Sequence, residues 1–216
     1  MKTDTQLKRD VESELGWDPA IDAARIGVAV KDGVVTLSGH IDTYAERFAA
    51  EKALRRVSGV KAIALELDVS IAPQHQRSDT DIALAVERAL LSNVTLPADR
   101  IRATVERGWV TLRGEVEWQY QRNSAETGLR ALAGVVGISN DIAISARIAP
   151  ADVKARIAEA LQRQARREAD HVDVSVDGST VTLHGKVHSW HERDAAAGVA
   201  WSAPGVRAVI NNLQIG

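Results

Sequence analysis

The chain has 216 residues and a formal net charge of −2; 45% of its residues are hydrophobic, 26% are charged and none is cysteine. This composition is typical of a globular protein, and it excludes a strongly basic nucleic-acid binder, a disulfide framework and a zinc–thiolate site. No apolar run reaches the ~18 residues that a membrane span needs, and no apolar signal segment follows Met1. The sequence as written therefore predicts a cytoplasmic protein without a transmembrane segment.

The sequence repeats itself three times. The motif Val-Thr-Leu-x-Gly occurs at residues 35–39, 110–114 and 181–185. A Gly-Val pair follows each motif glycine after 20 residues, and a leucine (Leu15, Leu90 or Leu161) precedes it by 24. The copies lie 75 and 71 residues apart, beyond the ~20–50-residue period of solenoid repeats. We therefore predict three small tandem domains, at residues 4–70, 78–145 and 149–216.

Each copy begins with a segment of helical periodicity. Apolar residues recur at i, i+4 and i+8 with charged residues between them, in the series Leu7/Val11/Leu15, Ile82/Val86/Leu90 and Val153/Ile157/Leu161. Ser78, Asp79 and Thr80 are candidate N-caps in the second copy, and Pro150 suits the first turn in the third. These segments predict amphipathic helices with one buried face.

A β-hairpin follows each helix. Apolar and polar residues alternate on both sides of a turn dipeptide, which is typical of two antiparallel strands. The dipeptides are Asp32-Gly33, Arg107-Gly108 and Asp177-Gly178. The pattern predicts the same two strands in all three copies.

A second helix and a last strand complete each copy. Thr43 with Glu46, and Ser189 with Glu192, have the spacing of a capping box. The predicted buried stripes of this helix are Ala50/Ala53/Leu54/Val57, Ala125/Gly128/Leu129/Leu132 and Ala196/Val199/Ala200/Ala203. The order α-β-β-α-β predicts an α/β (α+β) module, in which a small mixed three-stranded sheet carries two helices on one face.

All three copies resemble the BON domain. The resemblance rests on a V-x-V-x-x-G-x-V-T-L-x-G hairpin, on a helix that opens with polar and Glu/Arg residues, and on a G-V-x-x-V-x-N-x-L-x-V ending. The family's helix-start arginine is matched by Arg47, Arg122 and Arg193, and its strand asparagine by Asn140 and Asn211, with Leu65 in the first copy. The resemblance implies a non-enzymatic module without catalytic residues or cofactor, associated with envelope integrity, osmotic stress and phospholipid binding. It also implies a periplasmic location, which the sequence as written does not indicate.

Two tryptophans of the third copy are candidate contact residues. Trp190 and Trp201 lie 11 residues apart, almost three helical turns, so they share a stripe that points about 130–150° away from the predicted core. The aligned residues are Tyr44 and Arg55 in the first copy, and Gln119 and Arg130 in the second. The stripe predicts a surface that docks another unit of the chain, another chain or a lipid headgroup region.

Trp109 is a further candidate. It alternates with Val110 and Leu112, so we predict that it lies on the sheet face opposite the helices, together with Thr111 and Arg113. An exposed aromatic residue beside a basic one is suited to contact with a neighbouring unit or with a ligand.

Basic residues on the first helix of the third copy also enter the candidate surface. The basic residues of this helix are Lys154, Arg156, Arg163, Arg166 and Arg167. Acidic residues (Asp152, Glu159 and Glu168) break this stretch, which is typical of a solvated face. If the helix lies beside the tryptophan stripe, the same arginines favour contact with anionic lipid.

Three histidines of the third copy raise the question of a metal site. His184 and His188 stand four residues apart on a strand, about 13 Å, which is too far to share an ion. Only His188 and His191 can converge, across a turn. We predict solvated polar residues here and no metal.

The sequence favours a non-enzymatic, stress-related binding protein that contacts an anionic phospholipid surface or another envelope component. The alternative is a cytoplasmic scaffold that binds other proteins or associates with itself. Nucleic acid is not an expected partner, and the sequence does not fix the oligomeric state.

Overall fold

The computed structural model describes residues 2–145, 157, 172–203 and 205–215 of the chain. Two compact units are formed, by residues 1–116 with 121–143 and by residues 117–120 with 144–216. The first unit holds the first two sequence copies almost entirely, and the second unit holds the third copy. Each copy is called a module below.

The order of elements is the same in the modules wherever they are described. The first module contains α1 (Asp4–Trp17), β1 (Ile26–Lys31), β2 (Val34–Ile41), α2 (Tyr44–Arg56) and β3 (Ala62–Val69). The second contains α3 (Asp79–Ser92), β4 (Ile101–Glu106), β5 (Trp109–Val116), α4 (Gln119–Thr127) and β6 (Gly137–Ile144). The third contains β7 (Val172–Asp177), β8 (Thr180–Val187), α5 (Trp190–Trp201) and β9 (Ala208–Ile215). The predicted α-β-β-α-β order and the mixed α+β class are confirmed.

Three separate three-stranded sheets have the orders β1-β2-β3, β4-β5-β6 and β7-β8-β9. In the first sheet β1 pairs antiparallel with β2, and β2 pairs parallel with β3. The third sheet repeats this pairing, with Val181 opposite Val176 on one side and opposite Val209 on the other. The middle strand is therefore the one that carries the repeated Val-Thr-Leu-x-Gly motif, whose valine and leucine are fully buried in each module.

The motif glycine is required by a close approach of two backbone segments. Gly39 and Gly114 have φ angles of +136° and +140°, which residues with a side chain rarely adopt. A Cβ atom at Gly39 would lie 2.2 Å from the carbonyl oxygen of Arg25, and one at Gly114 would lie 2.0 Å from that of Arg100. The glycine thus lets the hairpin close where β1 or β4 begins.

The first helices pack and cap alike. α1 buries its side chains Leu7, Val11 and Leu15, and α3 buries Ile82, Val86 and Leu90. The carboxylate of Asp4 accepts hydrogen bonds from the turn amides of Asp32 (2.8 Å) and Gly33 (3.1 Å), and that of Asp79 accepts from Arg107 and Gly108 (2.8 Å each). One carboxylate therefore fixes the helix start to the hairpin turn in the first module and in the second.

The second helices begin as predicted at Thr43 and Ser189, whose side chains accept hydrogen bonds from the amides of Glu46 and Glu192. The return contact differs from a capping box. Glu46 accepts from the amides of Asp42 and Asp22, so it fixes the preceding loop as well as the helix start. Glu192 likewise accepts from the amide of His188.

The buried stripe predicted for α4 is partly wrong. The helix ends at Thr127, and Gly128 is exposed in a turn, although Leu129 is fully buried. Glycine disfavours a helix interior by about 1 kcal/mol relative to alanine, which explains an end at this point. The first helix of the third module lies outside the described residues apart from Ile157, which is helical and fully buried.

Candidate interaction surfaces

The arginine and asparagine that the modules share with the BON pattern form a clasp between helix and edge strand. The Arg122 guanidinium donates to the carbonyl oxygen of Asn140 (2.7 Å), and the Asn140 amide donates to the carbonyl oxygen of Arg122 (2.8 Å). Arg193 and Asn211 repeat both bonds at 2.8 and 3.2 Å. All four residues are half-buried. The clasp holds α4 on β6 and α5 on β9, which is a structural role.

The outer face of α2 docks a module. Tyr44 is only 9% exposed and belongs to the core cluster of the second module, with Val110 and Leu129. Its pKa is raised, first because burial disfavours the phenolate and then because of the Glu126 carboxylate. The Arg130 guanidinium lies 3.4 Å from the centre of the Phe48 ring and forms an ion pair with Glu126 (2.7 Å). This helix face therefore mediates protein–protein packing within the first unit.

Trp190 and Trp201 occupy the aligned face of α5. Trp190 is half-buried, and the guanidinium of Arg193 lies 5.0 Å from the centre of its ring. Trp201 is also half-buried, and it packs against the core of its own module, beside Ala197. The two tryptophans are thus not equivalent, since Trp201 contributes to the packing of the third module.

Trp109 lies where the alternation places it. The side chain is 47% exposed, while its neighbour Val110 is fully buried. The indole packs on Gly137, where an added Cβ would lie within 2.3–2.8 Å of three ring carbons. The indole nitrogen donates to the Ser139 hydroxyl (2.9 Å). The ring is therefore held in place on the open face of the β4-β5-β6 sheet.

A second exposed apolar surface lies on α3 and in the turn that follows its end at Ser92. Leu84 is 45% exposed, Leu91 68% and Val94 98%. At ~100° per residue Leu84 and Leu91 lie about 160° and 140° from the buried Val86, so they point away from the core. The name "α3 stripe" is used below for Leu84, Leu91 and Val94. These exposed apolar side chains are therefore a candidate contact surface.

The remaining candidates are polar. Arg163, Arg166 and Arg167 lie outside the described residues. The His188 ring nitrogen Nδ1 lies 3.3 Å from the Glu192 carboxylate and 78% of its side chain is exposed. Within the described ranges no group of three or more His, Asp or Glu side chains is arranged to hold a metal ion. None of the described helices has the length and apolar character that crossing a bilayer requires.

Sequence reasoning missed the α3 stripe and the role of Tyr44. A signal for the stripe was present, because Leu84 and Leu91 stand seven residues apart and out of phase with the core series Ile82/Val86/Leu90. Tyr44 gave no such signal, since an aromatic residue in the first turn of a helix fits either an exposed or a buried position. Trp17, at the end of α1, was also passed over, and at 84% it is the most exposed tryptophan.

Comparison with known proteins gives one family. The model of the BON domain matches residues 3–70, 78–146 and 150–216. The osmotically-inducible protein Y of Escherichia coli (strain K12) is 28% identical over 143 residues, which are 64% of this chain and 71% of that protein. The C-terminal domain of CdsD, a structural protein of the type III secretion system of Chlamydia trachomatis, is 16% identical over the whole of both chains with a TM-score of 0.28. That score is too low to indicate a shared fold.

Proposed function

This chain belongs to the BON domain family, with three domains in tandem, and we propose that it is a non-enzymatic binding protein of the bacterial envelope that acts under osmotic stress and contacts phospholipid. The similarity to an osmotically inducible protein supports the link to stress. The phospholipid contact is assigned to a surface of the second module.

The observation that carries the proposal is the α3 stripe. Leu84 and Leu91 of α3 and Val94 of the following turn are exposed, although Ile82, Val86 and Leu90 already occupy the core positions of the helix. The aligned positions of the first module carry Arg9 and Gly16 in α1 and Pro19 after it, so the module does not need leucines there. A function outside the module is the simplest reason for their presence.

A lipid surface fits the α3 stripe better than a large protein interface does. Stable protein interfaces use about 20–30 residues on each side, whereas the stripe has three apolar side chains. Insertion at the boundary between headgroups and acyl chains needs only a few, because each fully buried leucine contributes ~1.5–3 kcal/mol. Glu87 and Arg88, both exposed beside the stripe, balance each other in charge.

Attraction to anionic headgroups would come from elsewhere in the chain. Arg163, Arg166 and Arg167 of the third module are the basic residues proposed for this part, at ~1 kcal/mol per residue near an anionic surface. Binding should therefore have a salt-sensitive part that depends on these arginines and a salt-resistant part that depends on the α3 stripe.

Co-sedimentation with vesicles tests the proposal. The full chain should sediment with vesicles of phosphatidylglycerol and phosphatidylethanolamine, more strongly at low salt, and part of the binding should remain at high salt. The double variant Leu84→Ser/Leu91→Ser should lose the salt-resistant part and bind at least ~10-fold more weakly at any salt, which corresponds to ~1.4 kcal/mol.

Val34→Ser is the matched control, because it removes an exposed apolar side chain (40% exposed) from the sheet of the first module. It should bind like the unmodified chain. Equal sedimentation of the double variant and the unmodified chain would show that the α3 stripe is not the lipid contact. Absence of sedimentation under every condition would contradict the proposal that the chain binds phospholipid.

Protein interaction is the second candidate function. It is favoured by the packing of Tyr44 and Phe48 of the first module on the second, because this shows that the outer face of the second helix binds a module of this fold. The aligned face in the third module carries Trp190 and Trp201. Self-association that rises with concentration in sedimentation equilibrium, and that Trp190→Ala weakens, would support a scaffold.

A further inference from the structure

The two leucines of the α3 stripe have the spacing of a seam between paired helices. Leu84 and Leu91 are seven residues apart on α3. At ~100° per residue they lie within about 20° of each other around the helix, and at 1.5 Å per residue they lie about 10.5 Å apart along its axis. Apolar residues at this interval are what two helices bury against each other in a coiled-coil contact. A bilayer surface requires no such interval, so the spacing fits a second helix.

The stripe is complementary to itself. In an antiparallel pair of α3 helices related by a twofold axis between residues 87 and 88, Leu84 lies opposite Leu91 of the second copy, and Leu91 lies opposite its Leu84. Glu87 and Arg88 are nearest to the axis and are exposed, and within the described part of the chain neither forms an ion pair. Two copies bring together two charges of each sign, so the symmetric contact gathers no net charge.

α1 is not suited to the same contact. Arg9 and Gly16 stand at the positions of the two leucines, and Glu12 aligns with Glu87. A symmetric pair of α1 helices would therefore place guanidinium groups, and no apolar side chain, along the seam. Since α1 and α3 bury the same three aligned positions, the leucine seam is not a requirement of the fold.

A contact of this size is weak. It uses one face of one helix from each copy, well below the about 20–30 residues on each side that a stable interface uses. Such a contact forms at high protein concentration, and an occupant that buries the leucines more completely displaces it.

We propose that the α3 stripe pairs with the α3 stripe of a second copy of this chain, and that phospholipid displaces the second copy. The displacement rests on the phospholipid proposal above. The same leucines cannot serve both contacts, because the helix pair covers the side chains that would enter the bilayer. Self-association therefore keeps the stripe out of water where no membrane is present and competes with binding to the membrane.

Sedimentation equilibrium of the full chain, from ~10 μM to ~1 mM, measures the self-contact. The mean mass should rise toward that of a dimer as the concentration rises. Leu84→Ser/Leu91→Ser should weaken association at least ~10-fold. Glu87→Arg should weaken it as well, because it gathers four guanidinium groups at the axis.

Two further variants show whether the charge acts at the α3 contact. Glu87→Arg/Arg88→Glu restores the balance of charge and should restore association to that of the unmodified chain. Glu12→Arg makes the same change of charge at the exposed aligned position of α1 and is the matched control. It should associate like the unmodified chain.

A linked dimer tests the competition with phospholipid. The chain has no cysteine, so Glu87→Cys carries a single thiol beside the axis and should form a disulfide-linked dimer on oxidation, whereas Glu12→Cys should not. The linked dimer should bind phosphatidylglycerol-containing vesicles at high salt at least ~10-fold more weakly than the same variant after reduction. Glu87→Arg, which adds a basic residue beside the stripe, should bind these vesicles at least as tightly as the unmodified chain.

The outcomes separate this proposal from the phospholipid proposal. A mean mass that does not change with concentration, or association that Trp190→Ala weakens and the α3 variants do not, would overturn the self-contact and leave the lipid contact in place. Equal vesicle binding of the linked and reduced forms would overturn the competition. Absence of vesicle binding by every form would contradict the phospholipid proposal, and the displacement with it.

Discussion

The first helices of the first two modules bury apolar side chains at the same aligned positions, but they expose different kinds of residue on the opposite face. Under α1 and α3 three apolar side chains are buried at i, i+4 and i+8, and Asp4 and Asp79 bind the two amides of their hairpin turns in the same way. Outward, α1 exposes Arg9 and Gly16 where α3 exposes Leu84 and Leu91. Because the inner contacts suffice to build the module, the outer differences are free to carry function.

The second helices extend this comparison. α2 places Tyr44 and Phe48 on the neighbouring module, which receives them with Glu126 of α4 and Arg130 of the turn that follows α4. α2 carries the same ion pair as Glu51–Arg55, at 2.7 Å. The modules are therefore built alike and differ in which side of the contact each one provides.

The largest expected effect comes from breaking this contact. Tyr44→Ala removes an aromatic side chain that is 9% exposed from the core cluster of the second module, and we expect a loss of ~3 kcal/mol in the free energy of unfolding, as for other large-to-small changes in a core. Urea unfolding of the full chain measures it. Tyr120→Ala is the control, because Tyr120 is 57% exposed, and should change stability by less than ~0.5 kcal/mol. A loss that small for Tyr44→Ala would show that the packing of the two modules does not depend on Tyr44.

A smaller effect is expected from making the second module resemble the first at the clasp. Asn140→Leu introduces the residue found at Leu65 and removes the side-chain hydrogen bonds to Arg122, Glu126 and Ile142. We expect a loss of ~1–3 kcal/mol, because backbone groups of helix and strand lose their partners. Asn211→Leu should cost about the same, since its clasp repeats the geometry. If neither change alters the midpoint of urea unfolding, the clasp does not contribute to the stability of the modules.

Much of the fold could be predicted from the sequence because the repeat supplies each pattern three times. The buried faces of α1 and α3, the hairpin turns and the strand order follow from local spacing. The end of α4 was misplaced because the helix stops at Thr127, before Gly128, although its apolar pattern continues to Leu132. The clasp joins residues 18 positions apart, so its arginine and asparagine were recognised only as family residues and not as partners.

The interaction surfaces were harder to predict for a physical reason. Exposure depends on what packs against a helix, and a sequence pattern does not show this. Helical spacing assigned Trp190 and Trp201 to one outward stripe, and Tyr44 is aligned with Trp190. Tyr44 is nevertheless buried against a second module, and Trp201 packs on its own core. Trp109 was placed correctly because strand alternation fixes its face whatever lies nearby.

Changes to the α3 stripe should have the smallest effect on stability. They also give the most direct test of the phospholipid proposal. The chain has no cysteine, so Leu91→Cys carries a single thiol for an environment-sensitive fluorophore such as NBD. Gly16→Cys places the label at the aligned position of α1, where an added Cβ meets nothing within 4 Å. On phosphatidylglycerol-containing vesicles we predict a blue shift and a higher intensity for the label at position 91 and no change at position 16. No change at position 91 while the labelled chain sediments with the vesicles would contradict the assignment of the α3 stripe as the lipid contact.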